Sequence, residues 1–374
     1  MAGTAIAISW IQEFRKTRAG LNENDSGRNK CTARTITTLV RWVVNFREPK
    51  HVTSKTVFFG LAKRPGLTMF LGASDTGKTT CLRAAASHFA QRGLLPLAIV
   101  DADIGQSTVG PPTTVGLTLV TKHNLPALLS DMLPCHAMRF VGALSPVAHL
   151  LQTIAATKSL VDKALRRGAR TVLVDTTGLI GESTGFQLKF YKIALLEPRH
   201  VVALQREGEL EGLLSVLAGR PGLTVHRLPV SYRVRTRSPA ERYRYRTTRF
   251  AAYFRGATKV SLETSKISVL SPPTGLPKIT GESLPPVMSL NSFPSRDLAG
   301  YLVGLNDASN ETLALGLLDR VTRHGQKSVV LTPLRNFARV RIVQMANIRL
   351  AKTGEELGRA TGSRLIQIRR AEGT

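Results

Sequence analysis

Gly72-Ala73-Ser74-Asp75-Thr76-Gly77-Lys78-Thr79-Thr80 is a full match to the phosphate-binding loop G-x-x-x-x-G-K-[ST]. The preceding Leu67-Thr68-Met69-Phe70-Leu71 is apolar and reads as a buried strand, and residues 81–89 read as a helix. A strand that turns through glycines into a helix aims successive backbone N–H groups and the positive helix end at one point. A triphosphate fits there. Residues 72–80 are thus expected to bind ATP or another nucleoside triphosphate. Lys78 would reach its β/γ-phosphates and the Thr79 hydroxyl would hold Mg²⁺. The bland alternative is a glycine-rich turn capping an ordinary helix. The second, early lysine of ATPases that partition plasmids or deliver metal clusters is missing, since Ser74-Asp75 stands there.

Outward from the loop, apolar runs at 67–71, 96–101, 171–175, 200–205 and 223–228 alternate with helical patterns at 79–91, 148–167, 186–196 and 210–218. That alternation predicts an α/β fold: a P-loop NTPase with a mostly parallel sheet covered by helices on both faces. Ligands of such sheets sit at the carboxyl ends of the strands. Residues 237–256 are Arg-rich with a helical pattern. From 257 onward prolines punctuate a loop-rich stretch, and short alternating runs follow, which predicts a small, mostly β C-terminal domain. The expected organisation is a poorly defined N-terminal segment over 1–54, a kinase-type domain over 55–256 with the Arg-rich stretch as a lid, and the β domain over 257–374.

Lys and Arg number 52 against 25 Asp and Glu, a net charge of +27. A field of that sign attracts polyanions, although a solvated basic surface would give the same count. Three isolated cysteines, Cys31, Cys81 and Cys135, make neither a disulfide framework nor a zinc spacing. No apolar run reaches membrane-spanning length and the first ten residues lack a secretory pattern. These features predict a cytoplasmic, intracellular chain with no membrane partner.

Two further strand ends carry carboxylates. Asp101-Ala102-Asp103-Ile104-Gly105-Gln106 ends one, and Asp175-Thr176-Thr177-Gly178 ends another. A P-loop enzyme needs a carboxylate near Mg²⁺, and a kinase needs one to deprotonate the acceptor hydroxyl. Alternation along an extended segment puts Asp101 and Asp103 on one side. Asp175 is equally readable as a turn former. Arg242 and Arg246 are four residues apart, so on a helix they share a face and can clamp phosphate oxygens. A plain basic helix face is the alternative.

The set 72–80, Asp101 to Gln106, Gly110-Pro111-Pro112 and Asp175 to Gly178 resembles the P-loop polynucleotide 5′-hydroxyl kinases, the enzymes of tRNA splicing, mRNA 3′-end formation and pre-rRNA processing, and their simpler archaeal and bacterial relatives. The resemblance runs from about residue 60 to 256. It continues more loosely through Leu331-Thr332-Pro333 and Gly354-Glu355-Glu356. It implies that Lys78, Asp103, Arg242 and Arg246 are catalytic, with Asp103 the general base. It implies that Thr79, Asp101, Asp103 and Gln106 lie near Mg²⁺, that Thr176, Thr177 and Gly178 clasp the nucleic-acid end, and that Arg242 and Arg246 form the R-x-x-x-R lid. Leu179 stands where many eukaryotic members carry a base-stacking Trp. The implied activity is transfer of the ATP γ-phosphate to the 5′-hydroxyl of RNA or DNA. The alternative is a catalytically weak ATP-binding assembly factor. A small-molecule or protein kinase fits the +27 charge less well, and a GTPase would need an N-K-x-D sequence that the core lacks.

Overall fold

The computed structural model describes residues 53–122, 124, 128, 130–270, 287–288, 298–321, 327–361 and 364–367. All but the last two residues of the segment expected over 1–54 lie outside them, as does most of the proline-punctuated stretch after 270.

The strand of the opening stretch, β1 (Leu67–Leu71), is central in the core sheet. Its side chains alternate between two buried faces: Met69 and Leu71 enter one cluster and Phe70 enters the other. Helices α1 (Ser54–Lys63) and α2 (Lys78–Gln91) supply Leu61, Leu82 and Phe89 to the Phe70 side. Helices α3 (Leu150–Arg166), α4 (Glu182–Leu196) and α5 (Glu211–Leu217) supply Leu160, Ile193 and Leu214 to the other. Helices therefore cover both faces of the sheet, as the alternation predicted.

Around β1 the parallel neighbours are β5 (Thr171–Thr176) and β6 (His200–Gln205), followed outward by β2 (Leu97–Ala102) on one side and β7 (Thr224–Pro229) on the other. Two strands depart from the strand–helix alternation. β3 (Thr114–Val120) returns antiparallel to β2, and β4 (Ala137–Phe140) runs antiparallel to β3. β4 then meets a C-terminal strand, β12 (Thr312–Val321), through Thr312 and Met138. The C-terminal strands thus continue the core sheet.

Helix α6 (Pro239–Tyr253) is the Arg-rich stretch. Its start is fixed by a capping box: the Ser238 hydroxyl accepts from Glu241 N, and the Glu241 carboxylate accepts from Ser238 N. Its root is anchored, because Phe250 and the following Phe254 are buried with Phe140, Leu302, Leu315 and Ile348. Among the described residues no helix is long and apolar enough to cross a membrane.

Candidate active site

The phosphate loop closes on itself. Gly77 has φ +81 at the start of α2, a left-handed conformation that side chains rarely adopt. Lys78 is 6% exposed, and its ammonium donates to the Ala73 carbonyl at 2.6 Å. The Thr76 hydroxyl donates to the same carbonyl at 3.0 Å. Burial lowers the Lys78 pKa, and Asp175, Asp103 and Asp75 pull the other way. The lysine is therefore held inside the loop by the Ala73 carbonyl, within the field of three carboxylates.

Asp175 sits at the end of β5, and the Thr79 hydroxyl donates to its Oδ2 at 2.5 Å. Burial raises its pKa, opposed by Lys78 and by the Thr79 hydrogen bond. A threonine hydroxyl beside a strand-end carboxylate is a hard oxygen pair suited to Mg²⁺. Among the described residues no three His, Cys, Asp or Glu side chains gather into a metal cage.

Asp101 and Asp103 hold different hydrogen-bond partners. β2 ends at Ala102, so strand alternation stops before Asp103. Asp101 is 1% exposed and organises the loop beyond it. Its Oδ2 accepts from Thr108 N at 2.5 Å, Thr108 Oγ1 at 3.0 Å and Val109 N at 3.1 Å, and its Oδ1 accepts from Asp103 N. Burial, with Asp175 and Asp103 nearby, raises its pKa against those N–H groups. Asp103 is only partly buried. Its Oδ1 accepts from Gly105 N and Gln106 N, both at 3.1 Å. Gln106 donates through Nε2 to Gly105 O and, at 3.5 Å, to Arg242 O in α6.

The stretch predicted as a clasp lies against the phosphate loop. Thr176 Oγ1 donates to Phe70 O at 2.7 Å. A Cβ on Gly178 would lie 2.3 Å from Ser74 Oγ and 2.5 Å from Ser74 N. The backbones are too close for any side chain there. Gly178→Ala is expected to push the two loops apart, at the ~1–3 kcal/mol typical of overpacking. Calorimetric ATP titration should show weaker binding. Unchanged affinity would mean that the 178 segment yields freely.

The lid arginines separate. Arg242 Nη2 donates to Asp75 Oδ2 at 2.5 Å, so this arginine rests on the phosphate loop. Arg237 N donates to the same oxygen, and Arg206 donates to the Asp75 carbonyl. Arg246 instead pairs at 3.0 Å with Glu356 in β15 (Glu356–Thr361), which Arg359 also contacts. The lid is further docked by Tyr245, whose hydroxyl donates to Ser107 O at 2.9 Å.

The structure therefore brings together residues 72–80, Asp103, Gln106, Thr176 to Gly178 and Arg242. It adds Asp175 beside Thr79, turns Asp101 to its own loop, and ties Arg246 to the C-terminal strands. Sequence reasoning missed Lys189 and Lys192 of α4, which are fully buried within the field of Asp103. Their signal was present in the sequence, because they fall among the apolar positions of the helix.

The family profile described as mRNA cleavage and polyadenylation factor CLP1 P-loop matches residues 72–256. The polyribonucleotide 5′-hydroxyl-kinase of Pyrococcus furiosus is 30% identical over 335 residues, covering 79% of this chain and 91% of that protein. Its Pyrococcus abyssi counterpart is 28% identical with the same coverage. The solved Clp1p–Pcf11p (454–563) complex superposes with a TM-score of 0.61 at 14% identity, covering 79% of this chain and 78% of that one. That likeness concerns the fold.

Proposed function

The chain belongs to the polyribonucleotide 5′-hydroxyl-kinase family with a CLP1-type P-loop, and on that footing we propose that it transfers the γ-phosphate of ATP to the 5′-hydroxyl end of RNA. The observation that carries this reading is the contact of Arg242 with Asp75. It holds a guanidinium at the lip of the phosphate loop, where the transferred phosphoryl spreads charge over its oxygens.

In this reading the loop amides and Lys78 bind the β/γ-phosphates. Thr79 and Asp175 are the residues that would hold Mg²⁺, which when bound neutralises charge on those phosphates. The 176–178 stretch positions the RNA end, and Asp103 accepts the 5′-hydroxyl proton. Asp103 suits that task because both hydrogen bonds it accepts fall on Oδ1, which leaves Oδ2 to face an acceptor. Most of the barrier reduction comes from positioning and from fixed charge. Incubation with γ-labelled ATP and matched 5′-hydroxyl RNA and DNA oligonucleotides tests the proposal. Labelled RNA 5′ ends support it, the DNA arm reads sugar preference, and unlabelled RNA overturns it.

One observation favours a second reading, an ATP-binding assembly factor with weak turnover. Both expected lid cations are already paired with carboxylates, Arg242 with Asp75 and Arg246 with Glu356, and Arg246 is only 15% exposed. Saturable ATP binding without labelling would select that reading.

The +27 charge carries its own expected outcome. Oligonucleotide affinity measured without ATP should fall with salt, with a log–log slope of about −0.7 per neutralised phosphate. A twenty-mer should show the slope strongly and a dinucleotide weakly. Identical, salt-independent behaviour of both would make the charge a surface property alone.

A further inference from the structure

Helix α4 begins four residues after Gly178 and carries two lysines inside its buried face. At about 100° per residue, Leu188, Lys192, Leu196, Lys189 and Ile193 fall in that angular order within about 140° of the helix surface. All five are buried, and both lysines have 0% exposure. An arc of that kind is ordinarily filled by aliphatic side chains. An ammonium there loses its hydration, which is costly unless something compensates.

Lys189 is compensated. Its Nζ donates to the Thr177 carbonyl at 2.5 Å, tying the helix to the middle of the 176–178 stretch. Lys192, one turn further on, is not: its Nζ has no hydrogen-bond partner among the described residues. The charged groups that reach the pair come from three other elements. Lys189 feels Lys78 from α2, Asp103 from the loop after β2 and Asp175 from β5. Lys192 feels Asp103, and the two lysines also oppose each other. Burial drives Lys189 well below the usual ammonium range and Lys192 to about 8. A methionine at either position would match the length and fill the space without those costs. The lysines bring no packing advantage, and the groups within their field are those that carry the proposed chemistry.

We propose that Lys189 and Lys192 are positioning residues for phosphoryl transfer. Lys189 fixes the RNA-end clasp through the Thr177 carbonyl. Lys192 adds a second buried positive charge, without a hydrogen-bond partner among the described residues, within the field of Asp103. The inference rests on the kinase reading above. It assigns to α4 a part of the site that the phosphate loop and lid leave unfilled: the fixed field beneath the acceptor end. Charge preorganised in a water-free interior is effective because it needs no rearrangement during the reaction.

The full chain and its Lys192→Met and Lys189→Met variants are compared by thermal melting, ATP affinity, affinity for a short 5′-hydroxyl RNA, and turnover. Lys192→Met should melt about 2–4 °C higher, since an unpaired buried charge is removed. Its turnover should drop by roughly 10²-fold with unchanged ATP affinity. Lys189→Met should weaken RNA binding by about tenfold, the scale of one lost hydrogen bond, again with unchanged ATP affinity. A Lys192→Met protein that melts lower, and whose turnover per folded molecule is unchanged, overturns the proposal and makes the lysine core filling. So does a Lys189→Met protein with unaltered RNA affinity. If Lys189→Met does not fold, the Lys192→Met arm decides. Should wild type fail to label RNA, the kinase reading fails. The melting and RNA-affinity arms then still decide whether the pair serves the clasp or the core.

Discussion

Lys78→Ala is expected to lower 5′-labelling of RNA by at least about 10³-fold while leaving RNA affinity nearly intact. The ammonium lies inside the phosphate loop, 6% exposed and 2.6 Å from the Ala73 carbonyl. From there a rotation of the side chain would exchange one carbonyl oxygen for phosphate oxygens. Alanine removes the cation and leaves Asp175, Asp103 and Asp75, whose charges the lysine now offsets. The triphosphate would then meet a carboxylate-rich site with no fixed counter-charge in the loop, so ATP affinity should fall together with turnover. RNA affinity should hold, because one charge is lost from a net +27. Single-turnover labelling and filter binding of the same oligonucleotide separate the two. Near-normal labelling by Lys78→Ala would remove residues 72–80 from the chemistry altogether.

The strands around that loop were legible because each is a short apolar run bounded by turn residues. The runs at 67–71 and 200–205 coincide with β1 and β6, and the other three fall within a residue of β2, β5 and β7. β3 and β4 were not read. They lie in a returning excursion with no helix between β2 and β3, and a strand–helix rhythm gives no cue to an antiparallel return. The link from β4 to β12 joins residues 138 and 312, and pairing over that separation leaves no local signature.

The site divides in the same way. Loop residues 72–80 were legible because local spacing encodes their function. Asp175 stayed open between turn former and metal neighbour, because its contact with Thr79 spans 96 residues. Helical spacing gave Arg242 and Arg246 a common face, but long side chains from one face can reach different partners. Glu356, 110 residues beyond Arg246, claims one of them. Lys189 and Lys192 were hidden by habit, since lysines are almost never fully buried. The 3.6-residue period of 188–196 by itself places both inside the apolar arc.

The two carboxylates after β2 give the second large effect, and the hydrogen bonds predict how they will differ. In Asp103→Asn the amide oxygen can still accept from Gly105 N and Gln106 N, as Oδ1 does now. The loop should keep its shape, and the melting temperature should not move. What disappears is the carboxylate oxygen proposed to accept the 5′-hydroxyl proton. General-base catalysis of that kind is worth ~10²–10⁴-fold, so turnover should fall by that much with ATP affinity unchanged. Asp101→Asn should behave otherwise. Both Asp101 oxygens already accept hydrogen bonds, Oδ1 from Asp103 N and Oδ2 from Thr108 and Val109. Whichever way the asparagine turns, its NH₂ faces an N–H donor in a buried place, and a mismatch there costs ~1–3 kcal/mol. Asp101→Asn should therefore melt lower and lose activity through the loop it holds. Melting curves and single-turnover rates on both variants test the division. If Asp103→Asn labels RNA normally while Asp101→Asn is inactive at an unchanged melting temperature, Asp101 is the base and the loop's hydrogen bonds are incidental to its role.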